Sequence, residues 1–374
     1  MKRYTVRQGL DRGVMTDFLR LPKAIYGNDP LWVPPITSDV RRTLNTAKNP
    51  YFSFATQERF VCYKDGAAVA RMIVILDPKQ RDAAGTKTAL FGYFDSINDR
   101  DAARHLLIAA ERYARSLGAT HLEGPFNPNY YSELGIKMDT FDCAPHFFET
   151  YNPEYYPALL CEAGYSIAKR LKTYRLPRWS AVIQRRFGEG APTPVQPPYT
   201  VRSLRMNDLA RDLEQIREVY NDAFAANPYF HDVSQAEYAF SAKYLRYVTE
   251  PELTTIVEVD GKAVAVTQLM QEVNPLLRIM NGKTGPLRFL RYQRDRKLVR
   301  SAVFYAIGIK KQYQRSYVMG LLLRRNVEIF RNFDEVTTTW VSDDDTFMLN
   351  YTNRLGFVPD RSFALFKKEL GHHE

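Results

Sequence analysis

Side chains able to act as bases or to bind anions concentrate in the second half of the chain. Histidine has an unperturbed pKa of about 6.5, so His231 is the chemically easiest general base, although a lone surface histidine commonly has no such role. Glu237 and the run Asp343–Asp345 offer carboxylates, although a run of three Asp residues is more often a solvated turn or a helix cap than catalytic. Lys310, Lys311 and Arg315 follow an apolar stretch and supply the charge that phosphate groups require.

The net charge of +10 over 374 residues is unevenly distributed. Between Leu287 and Arg325 the sequence has eleven Lys or Arg residues against one acidic residue, Asp295, which gives this window a net +10 by itself. An anionic partner, whether a membrane, a nucleotide or a nucleic acid, would therefore bind here. Within the window, Pro286–Arg294 interleaves bulky apolar residues with arginines, which is typical of an interfacial amphipathic helix and also compatible with a solvated basic loop.

An internal repeat indicates two domains with a common plan. Tyr4–Arg7 recurs as Tyr199–Arg202, and Asp65–Ala70 recurs as Asp260–Ala265, both displaced by 195 positions. Two repeated segments with the same spacing indicate a duplicated unit rather than chance similarity.

Each copy has the same predicted order of elements: a strand, a helical segment, a hairpin, a strand, a helix, a further strand and a closing helix. The hairpins are Phe60–Leu76 and Thr254–Met270, because an Asp-Gly turn joins two β-rich runs in each. The next strand of the second copy is Ala302–Ile309, directly before the basic residues. The prediction is an α/β fold, in the α+β sense that each domain has a mixed, mostly antiparallel sheet flanked by helices.

The two domains are predicted to meet near residue 190. Arg178–Pro198 contains prolines and glycines that break regular structure. We therefore predict a first domain at 1–180, a linker at 181–198 and a second domain at 199–374.

Several classes of protein are not expected from the composition. The longest apolar stretches, such as Val69–Leu76, fall far short of the roughly 20 residues that span a bilayer. The first residues have no apolar core of a signal peptide, so a cytoplasmic location is expected. Cys62, Cys143 and Cys161 lack metal-ligand spacing, which predicts reduced thiols and no metal.

Two segments of the second half together suggest a family. Ile307–Arg315 has the form of a strand leading into a basic turn, and Met348, Asn353 and Leu355–Phe357 lie in the predicted closing helix. In these segments the second half resembles the GNAT acyltransferase superfamily, whose members bind a thioester cofactor at a pyrophosphate loop. The resemblance implies two GNAT-like domains in tandem and an acyl-CoA co-substrate. The implied cofactor-binding residues are Ile307, Gly308, Ile309, Lys310, Lys311, Gln314, Arg315, Ser316, Tyr317 and Asn353.

The sequence departs from this superfamily at the loop and at the usual acid. The superfamily's loop is rich in glycine so that its backbone amides approach the diphosphate, whereas Arg315, Tyr317 and Met319 occupy the glycine positions here. The usual acidic Tyr is replaced by Thr352; the adjacent Tyr351 would point about 100° away around a helix and suits a packing role. The catalytic candidates are His231, Tyr305, Asp344 and Tyr351.

A narrower resemblance covers nearly the whole chain. Phe18–Pro35, Gly124–Asn127 and the pair Tyr155–Tyr156 resemble a group of tandem GNAT-like bacterial proteins that includes the bacterial ceramide synthases. This implies transfer of a fatty acyl group from acyl-CoA to the amine of a long-chain sphingoid base. Departures from the group are Lys137, Thr140 and Asp345.

The first half has no comparable loop. After Phe91–Phe94 the chain has Asp95, Asp99 and Asp101 without a basic cluster, so a diphosphate would meet like charge, and no CoA is expected to bind there. The aromatic-rich segment Gly124–Tyr156 fits either an acceptor or acyl pocket or, as aromatic residues more often do, core packing.

Three functional hypotheses follow. The first is an acyl-CoA-dependent N-acyltransferase acting on a long-chain amine, peripheral on the inner face of the inner membrane and attracted to its anionic lipids, with nucleic acid not expected as a partner. The second is an aminoacyl-tRNA-dependent transferase, because the basic window could bind RNA. The third is a non-catalytic acyl-CoA or lipid-binding module, which the missing glycines and Thr352 favour.

Overall fold

The computed structural model describes residues 3–79, 86–178, 181–188, 195–242 and 250–371. Strands and helices alternate along the chain, which confirms the predicted mixed α/β class. The chain forms two compact units. Unit 1 consists of Met1–Lys172, Asn274–Tyr292 and Arg361–Glu374, and unit 2 consists of Thr173–Val273 and Gln293–Asp360.

Unit 1 is built mainly from the first sequence repeat. Its strands are β1 (Tyr4–Gln8), β2 (Thr56–Lys64), β3 (Ala67–Leu76), β4 (Thr88–Ser96), β5 (His121–Gly124), β6 (Phe126–Asn127), β7 (Glu133–Leu134), β8 (Ile136–Lys137) and the first part of β9 (Ser166–Pro177). Its helices from this repeat are α1 (Arg12–Tyr26), α2 (Thr37–Thr43), α3 (Arg100–Ser116) and α4 (Tyr156–Glu162). Strands β1 to β5 are neighbours in order, and only the β4–β5 pair among them is parallel.

Unit 2 repeats this plan. The remaining helices in the described part of the chain are α5 (Ala181–Phe187), α6 (Leu209–Phe224), α7 (Gln235–Ala242), α8 (Asn274–Met280), α9 (Pro286–Asp295), α10 (Val318–Phe330) and α11 (Thr346–Leu355). The remaining strands are β10 (Tyr199–Ser203), β11 (Thr254–Val259), β12 (Lys262–Gln271), β13 (Ser301–Ile309), β14 (Glu335–Thr338), β15 (Val341–Ser342) and β16 (Val358–Glu369). Neighbouring strands run in the order β10-β11-β12-β13-β14, and only β13–β14 is parallel.

Both predicted hairpins are confirmed. Asp65 and Gly66 have φ values of 50° and 88°, and Asp260 and Gly261 have φ values of 50° and 73°. Two successive positive φ angles define the turn that matches the twist of the flanking strands, which is why Asp-Gly sequences favour it. Each turn therefore fixes a β2–β3 or β11–β12 pair by local sequence alone.

The closing strands are exchanged between the repeats. The last part of β16 belongs to unit 1, where Phe366–Glu369 pairs antiparallel with β5. The last part of β9 belongs to unit 2, where Arg175–Pro177 pairs antiparallel with β14. The sheet of each unit is therefore completed by a strand from the other repeat. Helix α8 and most of α9 come from the second repeat but belong to unit 1.

The predicted linker contains regular structure. Helix α5 occupies Ala181–Phe187, where the composition predicts none. Its apolar Ile183 is buried in the core of unit 2 beside Val327 and Phe330, and such tertiary burial outweighs a weak local helix propensity. Residues 189–194 of this segment lie outside the described residues.

Candidate active site

Strand β13 separates from its parallel neighbour halfway along its length. It pairs with β14 from Ser301 to Phe304. Thr339 then donates from its amide to the Phe304 carbonyl at 3.1 Å, and in the described residues the register with β14 ends there. Ala306–Ile309 continues to pair with β12 on its other side. One edge of this last stretch has no partner strand among the described residues. The Ile309 carbonyl accepts from Gln314 Nε2 at 3.3 Å, and the other N–H and C=O groups on this edge could pair with an extended ligand.

Gly308 is required by the packing on the α6 face of β13. A Cβ atom at this position would lie 2.8 Å from Tyr220 Cδ1 and 3.2 Å from Val219 Cγ1. The alternate residues Ile307 and Ile309 are buried in the core that contains α10. The strand is therefore held on both faces while its edge beyond Phe304 stays uncovered by β14.

The basic turn after β13 is partly neutralised by carboxylates of α6. Lys310 and Lys311 follow the strand directly, and Lys311 and Arg315 are exposed. The Lys311 amide donates to Asp222 Oδ1 at 2.5 Å, and Lys310 Nζ lies 3.8 Å from Glu218 Oε2. The second contact is a surface ion pair, which contributes little to stability, so an anionic ligand could displace it readily.

Helix α10 begins beside this turn without a side-chain cap. Tyr317 is the N-cap residue and accepts no capping hydrogen bond on its side chain. The Val318 amide donates to Ser316 Oγ at 3.3 Å, whereas Met319 and Gly320 lie in the first turn, where amides have no intrahelical acceptor. A Cβ atom added to Gly320 would meet no atom within 4 Å. Helix N-termini attract anions, so this end is suited to a phosphate group.

Gly320 was missed in the sequence analysis. The three glycine positions of the superfamily loop are occupied here by Arg315, Tyr317 and Met319, so the loop pattern did not point to Gly320. The available signal was a glycine in the first turn of a predicted helix that follows a strand and basic residues.

His231 lies beside a buried carboxylate. It belongs to the loop before α7 rather than to a helix, and its Nε2 atom is 3.6 Å from Glu237 Oε1. Ser234 and Glu237 form a capping box: Ser234 Oγ donates to Glu237 Oε2 at 2.6 Å, and the Glu237 amide donates to Ser234 Oγ at 3.2 Å. Burial disfavours the carboxylate, yet the nearby His231 imidazole and the hydrogen bonds from Ser234 hold the pKa of Glu237 below its usual value.

A histidine beside a carboxylate can act as a base that the acid orients. Both residues are candidates in the sequence, but the sequence alone did not predict that they form a pair. The Ser-x-x-Glu spacing before α7 was the signal that could have located Glu237 at a helix start.

Three tyrosines lie together where α6 and α7 meet β13. Burial raises the pKa of Tyr305 to about 12. Burial, with the neighbouring Tyr238 and Tyr305, raises the pKa of Tyr220, whose hydroxyl donates to Gln268 Oε1 at 2.8 Å. Burial and Tyr305 likewise raise the pKa of Tyr238. These phenols are therefore neutral near pH 7 and can position a ligand by hydrogen bonding rather than act as anionic bases.

The candidates on α11 occupy different environments. Tyr351 is buried, accepts a hydrogen bond from Asn326 Nδ2 at 2.8 Å and stacks on Phe304 with ring centroids 5.5 Å apart, as the packing interpretation predicts. Thr352 donates from Oγ1 to the Met348 carbonyl at 2.9 Å. Asn353 is exposed on the helix.

The three-aspartate run forms a turn and a helix cap. Asp344 is exposed and accepts a hydrogen bond from Ser342 Oγ. Asp345 is the N-cap of α11 and accepts from the Met348 amide at 3.0 Å. The capping alternative therefore describes Asp345.

The corresponding edge in unit 1 is occupied by the protein itself. Strand β4 pairs with β5 only from Thr88 to Leu90. Beyond this, the Ser96 amide donates to Tyr156 Oη at 2.8 Å, and Tyr155 Oη donates to the Ser96 carbonyl at 2.8 Å. The helix that follows, α3, is capped by a carboxylate, because Asp99 accepts from the Ala102 amide at 3.2 Å.

Known proteins with similar sequences or folds were found for this chain. No family model matches the chain. It is 27% identical to the bacterial ceramide synthase of Caulobacter vibrioides (strain NA1000 / CB15N) over 367 residues, covering 94% of each chain. It is 25% identical to protein YghO of Escherichia coli (strain K12) over 377 residues, covering 98% of this chain and 95% of the other.

Solved structures share the fold at lower identity. A tandem GNAT protein from the clavulanic acid biosynthesis pathway, solved without AcCoA, has a TM-score of 0.59 at 15% identity and covers both chains completely. A protein of unknown function from Enterococcus faecalis V583, described as a probable N-acyltransferase, has a TM-score of 0.58 at 9% identity, covering 99% of this chain and 73% of its own.

The fold is that of tandem GNAT-like proteins, which confirms the expected architecture. The particular proteins that it resembles over nearly its whole length include bacterial ceramide synthase, as the residues of the first half suggested. Among the described residues, no helix has the length and apolar character needed to cross a bilayer.

Proposed function

We propose that the protein is an N-acyltransferase that moves a fatty acyl group from acyl-CoA to the amine of a long-chain, sphingoid-type base and so forms a ceramide-like amide. We place the reaction in the cytoplasm, at the inner face of the inner membrane. The observation that carries the proposal is the Ala306–Ile309 edge of β13, which β14 does not cover and which is followed by a helix, α10, whose N-cap residue Tyr317 provides no side-chain cap. The likeness to bacterial ceramide synthase supports the choice of acyl acceptor.

The pantetheine arm and the diphosphate of acyl-CoA have suitable partners in unit 2. Backbone groups of Ile307–Ile309 suit the amide groups of the pantetheine arm, because an extended chain can add to an open strand edge. Lys311, Arg315 and the first turn of α10 suit the diphosphate. The remaining proposed contacts are Lys310, Gln314, Ser316, Tyr317 and Asn353.

The reaction needs a neutral amine and a stabilised leaving group. We assign proton removal from the ammonium to His231, held by Glu237. The free amine attacks the thioester carbonyl carbon and forms the C–N bond. The nitrogen then loses its second proton, the C–S bond breaks, and the departing CoA thiolate takes up that proton. Tyr305 is proposed to position the reacting groups as a neutral hydrogen-bond donor. Asp344 and Tyr351 lie in an exposed turn and in the core, so we give them no step.

The direct test is mass spectrometry of products formed from a sphingoid base and mixed acyl-CoAs. The double variant Lys311→Glu/Arg315→Glu is expected to weaken acyl-CoA binding about tenfold or more, because two cations that face phosphate become anions. Arg324→Glu is the matched control, since Arg324 is exposed on α10 two turns from its start. Absence of any N-acylated product from the unaltered protein would refute the proposal.

The same assay separates the other two functions. Product formation that depends on RNA and is abolished by nuclease would assign an aminoacyl-tRNA-dependent transferase instead. Binding of acyl-CoA without turnover of any amine would assign a binding module. That outcome has some structural support, because Thr352, at the usual acid position, donates its hydroxyl proton to the Met348 carbonyl.

A further inference from the structure

One segment, which belongs to unit 1 except for its last two residues, has an outer surface that the proposed chemistry does not use. Asn274–Arg294, here called the helical insertion, comprises α8, a short turn and most of α9. Its sequence has no Asp or Glu. Its cationic residues are Arg278, Lys283, Arg288, Arg291 and Arg294.

The inner side of the helical insertion is fixed to unit 1. Asn274 is buried, and its Nδ2 atom donates to the Pro145 carbonyl at 2.8 Å. The Thr37 amide donates to the Gly282 carbonyl at 3.1 Å. Gly282 has φ 70°, and a Cβ atom there would lie 3.1 Å from the Pro35 carbonyl oxygen, so only glycine fits this turn without strain. The insertion is therefore held in place by polar contacts rather than loosely attached.

The outer side of α9 exposes leucines beside arginines. Leu287 is 83% exposed and Leu290 is 65% exposed. At 3.6 residues per turn, Arg291 and Arg294 fall on the same arc of the helix as these leucines. Tyr292, on another arc, is 6% exposed and turns its side chain inward.

Two exposed leucines beside arginines match the chemistry of an anionic bilayer: α9 has three arginines and one acid, Asp295, whose Oδ1 atom pairs with Arg294 Nε at 2.7 Å. The acyl region takes up the leucines, and anionic headgroups neutralise the arginines. A second copy of the same face would oppose cation to cation, so self-association is disfavoured. We propose that the outer face of the helical insertion docks on an anionic lipid surface. Its link to lipid acylation rests on the proposed function, whereas the docking itself does not.

Flotation with vesicles tests the docking directly. The full chain is expected to float with phosphatidylcholine vesicles containing phosphatidylglycerol and to remain unbound with phosphatidylcholine alone. Leu287→Ser/Leu290→Ser and Arg291→Gln/Arg294→Gln are each expected to lower the partition coefficient about tenfold. Val358→Ser, at a 42% exposed apolar residue of β16, and Arg324→Gln are the matched controls and should bind like the unaltered chain.

Three outcomes would overturn the docking proposal: equal flotation on both vesicle types, unaltered flotation of both double variants, or loss of a dimer in light scattering when the leucines are replaced. The last result would assign the face to a second copy. Measuring whether the double variants still acylate a short, water-soluble amine distinguishes a loss of membrane docking from a loss of catalysis. If flotation is anionic-specific but no amine is ever acylated, the docking stands and the proposed function fails.

Discussion

The corresponding strand edges of the two repeats differ: one is not covered by its neighbouring strand, and the other is hydrogen-bonded by side chains of the protein. In unit 2 the edge of β13 beyond Phe304 is not covered by β14, and α10 begins without a side-chain cap. In unit 1 the tyrosine pair Tyr155–Tyr156 bonds both backbone groups of Ser96, and Asp99 caps α3. The groups that a thioester cofactor would need are thus satisfied internally in unit 1. One duplicated architecture can therefore leave a strand edge uncovered in one copy and satisfy the corresponding edge with its own side chains in the other.

One matching position in the strand pairing differs between the two units and helps to explain this contrast. In unit 2, Gly308 stands opposite Val266. At the matching place in unit 1, Asp95 stands opposite Arg71, and the two form a buried ion pair at 2.6 Å. Glycine lets α6 approach the strand, whereas the ion pair fills the corresponding space with charge that must stay paired. This difference gives the contrast between the units a physical basis that single substitutions can test.

Removing the proposed base should produce the largest change. His231→Ala is expected to lower kcat about 10²- to 10⁴-fold, the usual contribution of a general base. His105→Ala in unit 1 is the control, because this exposed histidine bonds the Asp101 carbonyl and has no assigned step. Steady-state kinetics measure both. Equal activity of His231→Ala and the unaltered chain would remove His231 from the mechanism.

Breaking the ion pair of unit 1 should mainly affect stability. Asp95→Asn leaves the Arg71 guanidinium buried without a counter-charge and is expected to cost about 3 kcal/mol or more in the free energy of unfolding. The double variant Arg71→Met/Asp95→Leu should recover most of this loss, since no charge stays unpaired. Urea denaturation followed by circular dichroism gives both values. A single variant as stable as the unaltered chain would contradict the structural role of unit 1.

A side chain added at Gly308, where α6 packs closely on β13, should destabilise the protein less than Asp95→Asn does but should block acyl-CoA binding. Gly308→Val places side-chain atoms against Tyr220, already 2.8 Å from a single Cβ, and is expected to destabilise unit 2 by about 1–3 kcal/mol. Gly285→Ala, where an added Cβ meets no atom within 4 Å, is the control. Calorimetric titration with acyl-CoA should show binding lost only in Gly308→Val. Retained binding would mean that this strand does not hold the cofactor.

The cap of α3 should give the smallest effect, with a defined pH dependence. Burial opposes ionisation, but hydrogen bonds from Lys64, the Ala102 amide and Tyr4 hold the pKa of Asp99 at about 2. A carboxyl group whose pKa is depressed on folding stabilises above its unfolded value near 3.9, and this stabilisation is lost as the pH falls through about 2.

Asp99→Asn should therefore be about 1 kcal/mol less stable at pH 7, and the difference should shrink towards zero near pH 2. Urea denaturation across this range measures it. A difference that grows on acidification would show that the cap does not act through its ionised form.

Local sequence was enough to establish the repeat, the two hairpins and the α/β class. Asp65–Gly66 and Asp260–Gly261 specify their turns because the two residues themselves adopt the required positive φ angles. The basic residues Lys310 and Lys311 likewise follow β13 as predicted, since their position depends only on chain order.

Only the tertiary structure decided which strand closes each sheet, which carboxylate faces His231 and which hydroxyls satisfy Ser96. Strand β16 pairs with β5 across more than two hundred residues of sequence, and Tyr156 reaches Ser96 from 60 positions away. Such contacts depend on how buried backbone groups find partners in the folded chain, and no local propensity encodes that choice.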